Sequence, residues 1–226
     1  MRPNGGIKIM GKASEPAKID VVDFVSSKTD EEWAIHDAEM QEREAAAIHA
    51  KRMNILAEIR PTAFAETDPN RLAIAPQKIE RVMNWTPSDG RGLLLHGETG
   101  AGKTRLVWLL LTRLVMRGIV PLYFPADQLA RSLSGSYAQK HGHDALIEKL
   151  FRRRVVVLDD LGKEKPTARL EEDVYAIVRE RTDNLRPLII TTNFVGDGLV
   201  ARYSDPEMGK PLVRRLREFC ETISCP

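Results

Sequence analysis

The sequence predicts an α/β fold, a parallel sheet covered by helices on both faces, with a small helical region in front of it. Three observations predict it. Gly92–His96, Ile119–Phe124, Arg154–Leu158 and Pro187–Thr192 are short apolar runs that suit strands buried on both sides. Helical stretches separate these runs, the alternation expected of parallel strands joined by crossover helices. No internal repeat or low-complexity tract breaks the pattern.

Composition narrows the classes further. A chain of 226 residues with 42% hydrophobic residues can bury a real core. At roughly 150 residues per domain, it makes one domain with an appendage or two small ones. Lys and Arg total 34 against 32 Asp and Glu, which excludes a tail-type nucleic-acid binder and leaves only a local basic patch. Cys220 and Cys225, the only cysteines, cannot build a disulfide framework or a four-ligand zinc site, and a reducing cytoplasm is expected. No apolar run approaches the ~18 residues of a membrane span, and Met1 to Lys18 lacks the apolar core of a signal peptide. Membrane partners are therefore not expected.

In chain order, Gly5, Gly6, Gly11 and Pro16 punctuate residues 1 to about 30 as an arm. Asp30 to Ile59 is free of Gly and Pro and rich in Glu, Ala, Arg and Met, which favours a helix with Asp30 as its cap. Its apolar residues, among them Ile35, Met40, Ile48, Met53 and Leu56, form a loose stripe suited to a partner or a second helix. Pro61 ends it, and the chain is read as residues 1–60, a partner-binding region, and residues 61–226, the α/β domain. Residues 62–91 form a connector with a helix over Gln77–Trp85. Lys103–Arg117 reads as a helix stopped by Gly118. Further helices are expected around Asp127–Leu133, Leu146–Phe151 and Ala168–Leu185, with a last one over Lys210–Cys220. Nine basic and 11 acidic residues precede Pro61, against 25 and 21 after it, so the mild basic bias belongs to the C-terminal part.

Three motifs carry chemistry. Gly97-Glu98-Thr99-Gly100-Ala101-Gly102-Lys103-Thr104 fits GxxxxGK[ST] between a strand and a helix. Its glycines permit a backbone that turns successive N–H groups into one concavity at a helix N-terminus, where anions are favoured. Lys103 would reach the β- and γ-phosphates of ATP, and the Thr104 hydroxyl would ligate Mg2+. Second, the run Val155–Leu158 ends in Asp159-Asp160, placing two carboxylates at the C-terminal edge of the sheet, where ligands bind. Asp159 is expected to hold Mg2+ through water and Asp160 to orient the attacking water. Third, Ile189-Ile190-Thr191-Thr192-Asn193 ends a strand in an amide suited to hold that water or touch the γ-phosphate. Trp85 and Trp108 read as core, and the five histidines form no metal-ligand cluster.

Together these words resemble the DnaC/IstB-like branch of the AAA+ P-loop ATPases, from about Pro61 to Cys220. The most specific stretches are GLLLHGETGAGKTR (Gly92–Arg105), YFPADQL (Tyr123–Leu129), LDDLGKEK (Leu158–Lys165), VYAIVRER (Val174–Arg181) and PLIITTN (Pro187–Asn193). The resemblance implies a three-layer AAA+ fold and ATPase activity that is weak alone and completed in trans within an oligomer. Arg215, with Arg214 as the fallback, would be the arginine finger that reaches a neighbour's γ-phosphate. It implies a helicase loader for DNA replication whose partners are a replicative helicase and single-stranded DNA, and the compact length and unfamiliar arm suggest a phage, mobile-element or bacterial source. Two alternatives stay open: a transposition helper that binds duplex DNA, and a nucleotide-switched adaptor that scarcely hydrolyses ATP. A metabolic P-loop kinase conflicts with the Ile189–Asn193 word. Two departures stand out, because residues 1–60 match no module of the family and the sequence stops before a lid with a second sensor arginine. Tyr137 is a candidate for base stacking, and Arg152-Arg153-Arg154 is read either as a phosphate contact or as a charged strand entry.

Overall fold

The computed structural model describes residues 29–138, 141–165 and 167–226. The expected arm lies outside these residues as far as position 28. The first helix, α1, spans Asp30–Ile59, the range expected from composition. Its cap is Thr29 rather than Asp30. The Thr29 N–H donates to Glu32 Oε2 at 2.7 Å and the Glu32 N–H donates to Thr29 Oγ1 at 3.3 Å, a reciprocal box that satisfies two orphan donors. The apolar stripe does not form one face: at about 100° per residue, Ile35 and Met40 stand roughly 140° apart. The described chain divides within α1 into two units, residues 29–48 and residues 49–226. Within the second unit, Leu56 is buried and Arg52 donates to the Met116 carbonyl at 2.5 Å.

The second unit is a parallel sheet of five strands. They are β1 (Gly92–Gly97), β2 (Leu122–Pro125), β3 (Val156–Leu161), β4 (Leu188–Thr192) and β5 (Cys220–Cys225), in the spatial order β2-β3-β4-β1-β5. Helices α2 (Pro76–Asn84), α3 (Lys103–Met116), α4 (Ala126–Ser136), α5 (Gly142–Arg152), α6 (Ala168–Asp183), α7 (Asp197–Val200) and α8 (Pro206–Phe219) fill the connections. Gly118 stops α3 as expected, with its N–H donating to Val115 O and the next N–H to Leu114 O. Gly135, read as loop punctuation, lies inside α4.

Strand alternation sorts the core into two layers. Leu94, Val156, Leu158, Leu188 and Ile190 face a cluster with α4, α5, α6 and α8. Leu93, Leu95, Val157, Ile189 and Ile223 face the other, with α2 and α3. Both faces are buried, which is why the strands read as continuous apolar runs. Trp85 and Trp108 belong to the second layer, as expected.

β5 was not foreseen. The sequence Cys-Glu-Thr-Ile-Ser-Cys carries no apolar run, because this edge strand buries only Cys220, Ile223 and Cys225. It nevertheless pairs with β1 along its whole length, from Gly92 opposite Cys220 to Gly97 opposite Cys225. A Cβ on Gly97 would stand 1.4 Å from the Cys225 carbonyl oxygen, so only glycine lets β5 close over the start of the loop. Among the described residues, no helix is long and apolar enough to cross a membrane.

Candidate nucleotide site

The Gly-rich loop joins β1 to α3 and opens into a cleft of about 410 Å3. Gly102, the residue before α3, has a φ of +93°. A side chain there would be strained and would press on Leu72 Cδ2 at 2.9 Å. That turn starts α3 at once, so its first N–H groups, unpaired within the helix, lie at the mouth of the cleft. Lys103 is 5% exposed. Its ammonium donates to the carbonyls of Gly97 at 2.9 Å and Glu98 at 2.8 Å, and to Asn193 Oδ1 at 2.8 Å. Burial draws Lys103 below the usual lysine range, while Asp160 is the strongest of the charges that oppose this. Asn193 Nδ2 in turn donates to Thr99 Oγ1 at 2.9 Å, so one amide at the end of β4 spans the loop tip and its lysine.

Asp159 lies under the cleft, 4% exposed, and three hydroxyls converge on it. Thr104 donates to Oδ1 at 3.0 Å, Thr191 to Oδ1 at 2.5 Å and Tyr123 to Oδ2 at 2.6 Å. Burial, and then Asp159 itself, push the Tyr123 phenol well above its ordinary value, which keeps it a donor. Neither Tyr123 nor Thr191 was singled out from sequence, although both sit inside the words YFPADQL and PLIITTN. Behind them an aromatic column runs from Phe64 through Trp108 to Tyr123, with centroids 6.3 and 4.6 Å apart. A paired hydroxyl and carboxylate are hard oxygen donors of the kind Mg2+ takes, so Thr104 and Asp159 fit that ion.

Asp160 is exceptional. It has a φ of +61°, in the left-handed region, where the β3–β4 register shifts between Leu158 and Leu161. The Asp160 N–H donates to Thr191 Oγ1 at 2.8 Å. This bulge turns two consecutive acids to different surroundings, Asp159 beneath the sheet edge and Asp160 along the cleft wall. Asp160 pairs with Lys163 at 2.8 Å, and both line the cleft. Lys163 escaped the sequence reading, as did Phe64, Arg71, Leu72 and Ala73, which form the far wall of the cleft. The latter four come from an aperiodic connector, and only the tertiary fold brings them here.

The structure thus gathers Gly97 through Thr104, Asp159, Asp160 and Asn193 in one place. Arg215 is not among them. It lies on α8 and donates to Thr182 Oγ1 at 3.1 Å and Asp183 Oδ1 at 2.5 Å. Arg214 is exposed beside Glu218 at 3.7 Å. The stacking reading of Tyr137 is corrected: its hydroxyl donates to Asp173 at 2.6 Å and the Arg169 guanidinium covers its ring at 3.6 Å.

The sequence matches the family described as IstB-like ATP binding protein over residues 8–225. A relative from Mycobacterium tuberculosis, the ATP-binding protein Rv3427c of an insertion sequence, is 25% identical over 185 residues, 81% of this chain and 73% of its own length. The replicative helicase loader DnaI of Bacillus subtilis is 25% identical over 149 residues, 64% of this chain and 47% of its own length. This chain therefore matches about half of DnaI. The crystal structure of the DnaC helicase loader superposes with a TM-score of 0.57 at 27% identity, covering 66% of this chain and 87% of that one. A DnaI structure superposes with a TM-score of 0.62 at 22% identity over 74% and 95%, and shows the shared fold. On the strength of the matched family, the loop and the parallel sheet around it, this chain belongs to the IstB/DnaC-like family of AAA+ ATP-binding proteins.

Proposed function

We propose that this protein is an ATP-hydrolysing helicase loader that engages a replicative helicase and single-stranded DNA, and whose turnover is completed between subunits. The observation that carries the catalytic half is the Asp159-Asp160 bulge, which holds one carboxylate beside Thr104 and turns the other along the cleft. Lys103 leaves its three acceptors to meet the β- and γ-phosphates, and the loop N–H groups cradle them. Thr104 and Asp159 hold Mg2+, which when bound neutralises charge on those phosphates. Asp160 orients the attacking water, and Asn193 holds it against the γ-phosphate. Arg215 exchanges Asp183 for the neighbouring subunit's γ-phosphate. A finger of this kind is worth ~10³–10⁵ in rate, so assembly acts as the switch. The helical region before residue 60 grips the helicase.

A second reading, a transposition helper that assembles on duplex DNA, is favoured by the insertion-sequence relative, whose match covers more of this chain than that of DnaI. Light scattering during size exclusion, with Mg2+-ATP and the replicative helicase of the host, separates the two. Co-migration with the helicase supports the loader. Absence of co-migration, with ATP-dependent assembly on duplex DNA, overturns it in favour of the helper.

A further inference from the structure

The edge of the sheet opposite the nucleotide cleft carries charge that the mechanism above does not use. Parallel strands bring their starting residues to one edge, and here three neighbouring strands each have an arginine one or two residues before their first residue. Val156 pairs with Leu188, so Arg154 and Arg186 stand two residues before the same register step. Leu93 pairs with Ile189, which sets Arg91 one step away on the next strand. Adjacent strands lie ~4.8 Å apart, so β3, β4 and β1 spread these side chains over about 10 Å. Arg153 extends the row. Arg91, Arg153 and Arg154 are exposed, and their guanidinium groups make no hydrogen bond or ion pair among the described residues, whereas Arg186 is half-buried and donates to the Phe151 carbonyl at 2.6 Å.

Beneath this row lies Arg181, fully buried. Its guanidinium donates to the carbonyls of Leu150, Phe151, Arg153, Arg154 and Pro187, at 2.6 to 3.4 Å. It has no carboxylate partner, and burial together with nearby Arg186 pulls it down to about 10. The backbone that presents Arg153 and Arg154 is thus pinned from below by a further cation. The acids close by are engaged elsewhere: Glu148 pairs with Arg152, Asp183 with Arg215 and Arg179, and Asp89 accepts from the Arg91 backbone N–H. Like charges held this close repel one another, and a bound polyanion would relieve that repulsion.

We propose that the row Arg153, Arg154, Arg186 and Arg91 is a docking face for the phosphate backbone of DNA, separate from the nucleotide cleft. The choice of DNA as the polyanion rests on the function proposed above; the face itself rests on the geometry. Guanidinium groups repeated at strand spacing, without an aromatic platform, suit contacts to phosphate rather than to bases, so binding should be insensitive to sequence.

Fluorescence anisotropy of the full chain with a labelled 30-nucleotide strand, and with its duplex, titrated across KCl concentration, tests the face. Each phosphate contact contributes ~0.7 to the slope of log affinity against log salt for single strands. Arg153→Gln/Arg154→Gln should therefore lower that slope by about 1.4 and weaken binding about 25-fold at 0.1 M KCl. Arg152→Gln, whose guanidinium is already paired with Glu148, should change little. Unchanged thermal unfolding and ATP binding certify the variants. Should the double variant fail to fold, Arg91→Gln carries the test, with an expected loss of about fivefold. Equal affinity and slope in parent and variants overturns the face while leaving the loader reading intact. No binding of either DNA by the parent overturns the face and the DNA limb of the function together, and helicase co-migration then judges the remainder alone.

Discussion

Three hydroxyls fix the two oxygens of Asp159, the carboxylate that would hold Mg2+ under the proposed function. Tyr123 is the most telling of the three, since it reaches Oδ2 at 2.6 Å from a neighbouring strand and is held donor-only by burial. Groups that orient a metal-binding carboxylate commonly change metal affinity 10–100-fold when removed. Tyr123→Phe should accordingly weaken Mg2+-dependent ATP binding about tenfold, with little change in binding measured in EDTA. A fluorescent ATP analogue titrated with and without Mg2+ reads both, and equal affinities in the two proteins would sink the assignment. At this scale the sequence was legible where spacing encodes chemistry, as in Gly97–Thr104 and Asp159-Asp160. Tyr123, Thr191 and Lys163 were not legible. Each stands inside a quoted word, yet a hydroxyl or an amine on a strand or turn acquires a role only once the bulge at Asp160 decides what it faces.

At the scale of elements, the buried apolar strands announced themselves because both faces are covered, whereas β5 did not. A half-buried edge strand following a helix offers only Cys220, Ile223 and Cys225 as buried anchors, too few to distinguish it from a frayed helix end. The element that most depends on one unadvertised residue is the α5–β3 junction, where Arg181 supplies the donors for five carbonyls. Arg181→Met keeps the stem and deletes those donors, leaving buried carbonyls unpaired. A loss of about 3 kcal/mol in unfolding free energy is expected. Urea denaturation checks it, and a loss below about 0.5 kcal/mol would show that water replaces the guanidinium without cost.

On the scale of the whole molecule, α1 belongs to both units, since Leu56 and Arg52 pack within residues 49–226 while Ile35 and Met40 lie in the stretch before them. Removing residues 1–48 should leave the melting temperature of the ATP-binding unit nearly unchanged. Removing residues 1–58 empties the site of Leu56 and should cost about 2–4 kcal/mol, read by calorimetry. Equal stability of the two truncations would show that residues 49–58 contribute no packing. The larger question is whether the site is completed from outside the subunit, and complementing defects put it most directly. Asp160→Asn keeps Arg215 but disables its own cleft; Arg215→Ala keeps the cleft but offers no finger. Each alone should hydrolyse ATP at least 10²-fold more slowly than the parent, and so settle whether the protein turns ATP over or merely switches on it. Mixed in equal amounts, they should recover about a quarter of the parental rate, because one interface in four then joins an intact cleft to an intact finger. A mixture no faster than its separate components would contradict completion of the site by Arg215 in trans.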